Sequence, residues 1–462
     1  MVKISNKENS IELIGRVLNP LYIKKTIAYF QNKIEAQHVF KLLMRLQNGQ
    51  LQDTKKYKNG KLCEILKYAQ NHCPYYENIF LENSVNVNNL KNFEQIPLLD
   101  KATIKNHFKE LLSDELSSMS TYHMNTGGST GEPLEFIVST IAGAVDKVHQ
   151  EFVFKTTMNY QEGDKIVAFD GSTVPEECVK SHIYWIPKNN QDIPYGSVSY
   201  SALYLTKENI HYYVENIMDE APCILRGYPS FISNIAEYIL NKNITFPFKI
   251  KGVQLTSEVA TAEQIDIIKK AFGTKVYLQY GHSEVCVYGY TFDELQEYYC
   301  SPFYGFTEVL DEMGRQVDIG EIGEVVVTGF YNFAMPFIRY RTGDLAIFNG
   351  DTNGIVRLQK IIGRTQDYII TTDGDRIALT ALVFGQHYKA FKNIEKWQLQ
   401  QDVPGKVHIR IIKGESYSKE DELEIQRKFQ VFCGVDTEFE YVNSISLTKR
   451  GKYKFLIQNI SL

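Results

Sequence analysis

Lys251-Gly252-Val253-Gln254-Leu255, Ala262 through Phe272, and Lys275-Val276-Tyr277-Leu278-Gln279 form the stretch on which the fold turns. The two outer runs are short, apolar and rich in residues that favour extended chain, so they read as strands. The segment between them repeats its apolar residues at helical spacing. Strand, helix and strand in close succession make a βαβ unit, and such units need a parallel sheet. Upstream, the same alternation gives strands at Lys165 to Asp170 and at Cys223-Ile224-Leu225, with helices at Glu208 to Met218 and Ser230 to Leu240. After Phe306 the pattern changes. Thr307 to Leu310, Gly323 to Thr328 and Ala346 to Phe348 read as strands divided by turns at Asp311-Glu312-Met313-Gly314 and Gly320-Glu321. That spacing predicts antiparallel pairing in a small barrel-like lobe. A last α+β segment begins at about residue 364.

Toward the N-terminus, Leu21, Ile23, Ile27, Phe30, Ile34, Val39, Leu42, Leu43 and Leu46 predict an amphipathic helix over 19–48 with its apolar face in or near the core. A second helix is expected over 61–80, ended at His72-Cys73-Pro74, and Asp100 should cap a third from Lys101 toward Leu112. The expected architecture is α/β. A large N-terminal domain, 1–363, carries a helical segment over about 1–115, βαβ sheets and the barrel-like lobe; a small α+β domain, 364–462, follows it, and the family resemblance set out below implies that it is mobile.

With 462 residues the chain exceeds one ordinary core. Hydrophobic content of 44% and charged content of 23% suit a globular protein, and a net charge of −5 argues against a general nucleic-acid binder. No apolar run reaches the roughly 18–20 residues of a membrane span. The N-terminus has Lys3, Lys7 and Glu8 and no apolar core before a small-residue cleavage site, so no secretory signal is expected. Seven scattered cysteines, never spaced C-x-x-C, suit free thiols in a reducing cytoplasm. Cys286 and Cys300 have no partners at ligand spacing, which argues against zinc.

The sharpest chemical signal is Asn125-Thr126-Gly127-Gly128-Ser129-Thr130-Gly131-Glu132-Pro133. Glycines let backbone N–H groups approach a phosphate, and hydroxyls add donors or a metal ligand. The segment follows the strand-like run Tyr122-His123-Met124 and precedes a helix expected over 140–158, which places it at a strand-to-helix turn, where phosphate is attracted. It lacks the lysine of a Walker loop, so arginines and a lysine farther along must neutralise the phosphate charge.

Further segments follow in a telling order: Tyr280-Gly281-His282-Ser283-Glu284; Gly320 through Thr328; Ala334-Met335-Pro336-Phe337-Ile338-Arg339-Tyr340-Arg341-Thr342-Gly343-Asp344; Gly363-Arg364-Thr365-Gln366-Asp367; Gly374-Asp375-Arg376-Ile377; and Arg450-Gly451-Lys452. Together they resemble the adenylate-forming superfamily of acyl-CoA synthetases, adenylation domains and luciferases. The run through Asp344 looks like the phenylacetate–CoA ligase family. Leu66-Lys67-Tyr68-Ala69, Pro74-Tyr75-Tyr76 and Ile96-Pro97-Leu98 resemble its branch associated with capsular and surface-polysaccharide clusters.

The resemblance implies an AMP-forming carboxylate ligase. A carboxylate attacks the α-phosphate of ATP to give an acyl-adenylate and pyrophosphate, and a thiol or amine then displaces AMP. It implies that Thr126, Gly127, Gly128, Ser129, Thr130 and Gly131 hold the β- and γ-phosphates, that Glu284 with Thr130 holds Mg²⁺, that Asp344 accepts from the ribose hydroxyls and Arg364 donates to ribose or phosphate, and that Tyr280, with Gly281 and Ser283, lies near adenine or the substrate carboxylate. Lys452, rather than its neighbours Lys449 and Lys454, is the expected adenylation lysine, and Gln366 marks the expected hinge. Tyr228, Pro229, Ser257, Glu258 and His282 are expected around the acid, for which the resemblance favours an aromatic group.

The sequence departs from the family pattern at Glu132, Gln366 and Asp375; the last leaves CoA possible rather than required. Two other readings stand beside this one: a CoA-independent ligase that joins an acid or amino acid to an amino group of a sugar, and a non-catalytic nucleotide-binding scaffold. The intact set Glu284, Asp344, Arg364 and Lys452 weighs against the scaffold. The partners implied are a small carboxylic acid and a CoA or amine acceptor, with no nucleic acid.

Overall fold

The computed structural model describes residues 20–51, 53–125, 134–292, 297–364, 368–374, 376–378, 390, 393–446 and 454–460. The described residues begin with four α-helices: α1 (Pro20–Gln47), α2 (Thr54–His72), α3 (Pro74–Glu82) and α4 (Lys101–Asn106). Asp100 caps α4 as expected, accepting the N–H of Thr103 at 2.7 Å, but the helix stops at Asn106, short of Leu112. In α1 the expected apolar face is only partly covered. Ala36, Val39, Leu42 and Leu43 are buried, whereas Phe30 and Ile34, a turn or more earlier, are 59% and 68% exposed.

The strands β1 (Thr121–Asn125) and β2 (Glu135–Ser139) pair antiparallel, and α5 (Thr140–Met158) follows β2. The glycine-rich segment therefore connects two strands, and the expected strand-to-helix turn is not found there. The cause lies in Phe136, Ile137 and Val138, an apolar β-favouring run that buries itself as a strand and separates α5 from the glycines.

The centre follows the expected alternation: β3 (Ile166–Asp170), α6 (Glu176–Lys180), β4 (Trp185–Asp192), β5 (Gly196–Ser201), α7 (Ile210–Glu220), β6 (Ile224–Gly227), α8 (Pro229–Asn241), β7 (Gly252–Thr256), α9 (Ala262–Phe272) and β8 (Val276–Gly281). Strands β5, β3, β6, β7 and β8 are parallel neighbours in that order. Local chemistry fixes the helices between them. In α9, Thr261 and Gln264 form a reciprocal capping box, and Gly273 ends the helix at φ +60°. In α8, Phe231, Ile232, Ile235, Ala236 and Ile239 make one buried stripe against the sheet.

Beyond β8 the chain turns antiparallel through β9 (Tyr288–Tyr290), β10 (Tyr298–Cys300), β11 (Gly305–Leu310), β12 (Ile322–Gly329), β13 (Tyr340–Thr352) and β14 (Ile355–Arg364). The antiparallel strands expected after Phe306 are present, but they do not close into a lobe of their own. They extend one twelve-stranded sheet, ordered β11-β12-β13-β14-β10-β9-β8-β7-β6-β3-β5-β4. The link is β9–β10, two three-residue strands that carry the ladder from β8 to β14.

The last segment is α+β, as expected. It comprises β15 (Tyr368–Ile370), β16 (Arg376–Ala378), β17 (Ile394–Val403), β18 (Lys406–Lys413), α10 (Lys419–Cys433), β19 (Asp436–Tyr441) and β20 (Leu456–Gln458). A four-stranded sheet, β19-β18-β17-β20, packs Leu399, Val407, Ile409 and Ile411 against Ile425 and Phe429 of α10.

Candidate active site

The C-terminal ends of the parallel strands collect the expected residues along one edge. Ligands of open α/β sheets bind outside that edge, where the strand order reverses. Tyr228 and Pro229 follow β6, Ser257 and Glu258 follow β7, and Tyr280 and Gly281 end β8. A cleft of about 380 Å³ opens here, lined by residues that include Asp170, Ser172, Tyr195, Arg226, Tyr228, Thr256 and Ser257.

Glu284 lies in the turn after β8 and is 5% exposed. Burial raises the pKa of its carboxyl. The charge of His282 and the hydroxyl of Tyr340 outweigh burial and hold it at about 2, so it is ionised at neutral pH. Tyr340 donates to Oε1 at 2.7 Å. Nδ1 of His282 stands 3.1 Å from Oε2, but neither ring nitrogen has an aligned hydrogen-bond partner among the described residues. His282 is thus in close contact with Glu284 and is among the groups that hold its carboxyl down.

Asp344, on β13, accepts the Tyr280 hydroxyl at 3.0 Å. Burial and the neighbouring carboxylate push the Tyr280 phenol well up, so it remains a donor. Asp344 and Arg364 are directly opposed in the β13–β14 register, which brings the expected ribose pair together on adjacent strands. Thr126 to Gly131, Gln366, Lys449 and Lys452 lie outside the described residues.

The turn that bears Glu284 is backed by glycine. A Cβ on Gly305 would stand 2.0 Å from the carbonyl oxygen of Cys286, and one on Gly329 2.9 Å from its Sγ. The chain is also strained at the site: Ser257, Val285 and Arg339 have φ of +71°, +52° and +49°. Left-handed backbone at a β-branched residue such as Val285 persists only where its surroundings impose it, and such outliers cluster at functional sites.

Two expected contributors are occupied structurally. Glu258 accepts from the N–H of Ser230 and from its Oγ, each at 3.1 Å, so its carboxylate sits on the first turn of α8. Of the downstream arginines, Arg339 pairs with Glu308 at 3.0 and 3.2 Å and donates to the carbonyl of Ile96 at 2.8 Å, while Arg341 holds Glu324 at 2.6 Å. The phosphate charge cannot draw on either without breaking an ion pair.

Sequence reasoning passed over Tyr340, Arg226 and Asp170. Tyr340 stands inside the arginine motif, and its hydroxyl is what the motif contributes to Glu284. Arg226 was legible as the one charge in the strand Ile224–Gly227, just before Tyr228. Asp170 ends β3, where Ser172 and Ser199 hydroxyls hold its carboxylate at 2.5 and 2.6 Å.

For a magnesium ion the donor set fits in kind. Glu284 is an ionised, hard oxygen ligand, and Mg²⁺ takes one or two carboxylates beside substrate phosphates. Among the described residues no three His, Cys, Asp or Glu side chains converge as a metal site. No described helix is long and apolar enough to cross a membrane.

Residues 369–459 match the family described as the CapK C-terminal domain. Protein CapK of Staphylococcus aureus is 24% identical over 93% of this chain and 94% of its own length. A phenylacetate-coenzyme A ligase of Thermus thermophilus is 23% identical over 67% of this chain and 70% of its own. Among solved structures, 2-hydroxyisobutyryl-CoA ligase in the postadenylation state, in complex with R3-HIB-AMP, superposes with a TM-score of 0.64 at 19% identity, over 87% of this chain and 89% of that one.

Proposed function

We propose, from the premise that the chain belongs to the adenylate-forming superfamily and has CapK and the phenylacetate-coenzyme A ligases among its relatives, that it condenses a carboxylic acid with ATP to an acyl-adenylate. It then passes the acyl group to a CoA thiol or to an amine. The observation that carries this reading is the shared edge. An ionised Glu284, a Tyr280–Asp344 pair and a ligand-sized cleft stand side by side at the ends of adjacent strands.

In this reading each residue has a task. The Tyr280–Asp344 pair fixes a carboxylate acceptor where ribose hydroxyls can donate. Arg364, opposite Asp344, supplies a donor to the same sugar or its phosphate. Tyr340 and His282 keep Glu284 charged in a buried place, which is what a ligand to Mg²⁺ requires. A bound Mg²⁺ would neutralise phosphate charge. The segment Thr126–Gly131 would hold the β- and γ-phosphates, and Lys452 would bridge the acid and the α-phosphate, aligning them for in-line attack. The last hundred or so residues, from 364, would form a separate small domain turning near Gln366. The resemblance of Leu66-Lys67-Tyr68-Ala69, Pro74-Tyr75-Tyr76 and Ile96-Pro97-Leu98 to the capsule-associated branch suggests a destination in surface-polysaccharide decoration.

ATP–pyrophosphate exchange across a panel of acids tests the reading. Wild type should exchange with at least one acid, and Lys452→Ala and Glu284→Gln should each lose most of the rate while remaining folded. Silence with every acid, or full exchange by Lys452→Ala, defeats it. AMP release that depends on CoA, or proceeds without it when an amine is supplied, separates the two acceptors.

A further inference from the structure

We propose that the acid taken by the cleft is a small polar one, bearing a hydrogen-bond acceptor for Arg226 on its acyl part, and not the aromatic hydrocarbon acid that family resemblance favours. The inference rests on the adenylation reading and names the substrate class of the same site.

Arg226 lines the cleft, and although its charge bears on Asp146 it makes no ion pair with it. Its Nε donates to Oε1 of Gln254 at 3.0 Å and its Nη2 reaches Oε1 of Gln279 at 3.5 Å, while the ring of Tyr195 lies 5.8 Å away. These partners are neutral, and Arg226 has no ion pair among the described residues. Arg339 and Arg341, by contrast, each hold a glutamate. A guanidinium offers five donors in a fixed fork, so two amide oxygens leave capacity for a ligand.

The layer behind Arg226 is polar as well. Gln254 is fully buried; Arg226 engages its oxygen, and its amide meets the hydroxyl of Tyr288. Tyr288 in turn donates to Gln150, 1% exposed, at 2.8 Å. Buried amides backing the guanidinium argue against a site shaped for hydrocarbon.

The cleft also carries Asp170, at the end of the neighbouring strand β3, whose oxygens accept from Ser172 and Ser199. A second charge in the lining favours a ligand that also donates. Glu258 covers the first turn of α8, so that helix offers no competing anion seat. A hydroxy or amino acid of a few carbons meets these requirements. A phenyl ring would take water from two charged groups and return no hydrogen bond, the penalty that lets polar sites reject apolar analogues.

The test compares acids of three to eight carbons by pyrophosphate exchange with wild-type protein. 3-Hydroxybutyrate, serine and succinate are set against butyrate, hexanoate and phenylacetate. At least one polar acid should exceed its hydrocarbon counterpart in kcat/KM by about 30-fold or more. Arg226→Met should collapse that preference, chiefly by raising KM for the polar acids. Arg226→Lys, which keeps the charge, should retain part of it. Exchange with hydrocarbon acids and none with polar ones overturns this inference while leaving the adenylation reading intact. An equal loss with every acid in Arg226→Met assigns Arg226 to the reacting carboxylate and also overturns it. Silence with all acids overturns both.

Discussion

Replacing Arg339 by methionine separates architecture from catalysis within the arginine motif. Arg339 is 2% exposed and Glu308 is 7% exposed. The guanidinium makes two bonds to that carboxylate and two to the carbonyls of Glu94 and Ile96. Its own N–H and C=O are also committed, to Thr328 and to Leu99. The side chain therefore fastens the segment before α4 to the sheet. Removing it leaves Glu308 buried without a partner, for which about 3–5 kcal/mol of lost stability is the expected scale. The pH dependence follows. A stranded Glu308 has its folded pKa raised by burial, so the folded variant binds a proton that the unfolded chain releases, and its stability falls as pH rises above the ordinary carboxyl range. The deficit of Arg339→Met should be larger at pH 8 than at pH 6. Urea denaturation at both values measures it, and Glu308→Leu combined with Arg339→Met should recover much of the loss. A variant as stable as wild type but unable to exchange pyrophosphate would refute the argument and make Arg339 a group that touches substrate.

Tyr340→Phe removes a donor to an ionised, buried carboxylate. A loss of about 1.5–3 kcal/mol is expected, together with weaker exchange that excess magnesium partly restores; an unchanged magnesium dependence counts against Glu284 as its ligand. Gly305→Ala would drive a Cβ into the Cys286 and Thr328 carbonyl oxygens, at 2.0 and 2.9 Å. Exchange should fall far more than helix content by circular dichroism, and a fully active variant would show that the Glu284 turn tolerates displacement. His149 is fully buried; burial lowers its pKa to about 4, and it is held neutral between the Val145 carbonyl and the Ser301 hydroxyl, both at 2.8 Å. The unfolded chain takes up a proton near pH 6.5 and the folded chain only near 4. Across that window His149 should cost stability on acidification, by about 3 kcal/mol in all. Wild type and His149→Gln compared from pH 7 to 4 should converge, and parallel curves would refute it.

Much of the fold was legible because its signals are local. Ala262–Phe272 carries its own cap, stripe and stop, and the strands beside it are short apolar runs. What escaped the sequence depends on register. Arg339 and Glu308 are 31 positions apart, and Arg341 and Glu324 are 17 apart; they meet only because antiparallel strands fold back on one another. Read singly, those arginines suggest phosphate. The strand Glu135–Ser139 was passed over because the glycines before it and the helix after it both gave stronger signals. The motifs marked Tyr280, Glu284 and Asp344 singly, but neither the Tyr280–Asp344 contact nor the Tyr340 hydroxyl on Glu284 was legible: a tyrosine between two arginines gives no sign of which way it faces.

The unbroken ladder from β6 to β13 has a mechanical consequence. Tyr228, Tyr280 and Asp344 are spaced by the fixed pitch of hydrogen-bonded neighbours, so no joint between them can yield to an ill-fitting guest. Discrimination on this face must come from shape and polarity already set before the guest arrives. If the proposed reaction calls for large travel, it would come from chain beyond the last rung, past Arg364.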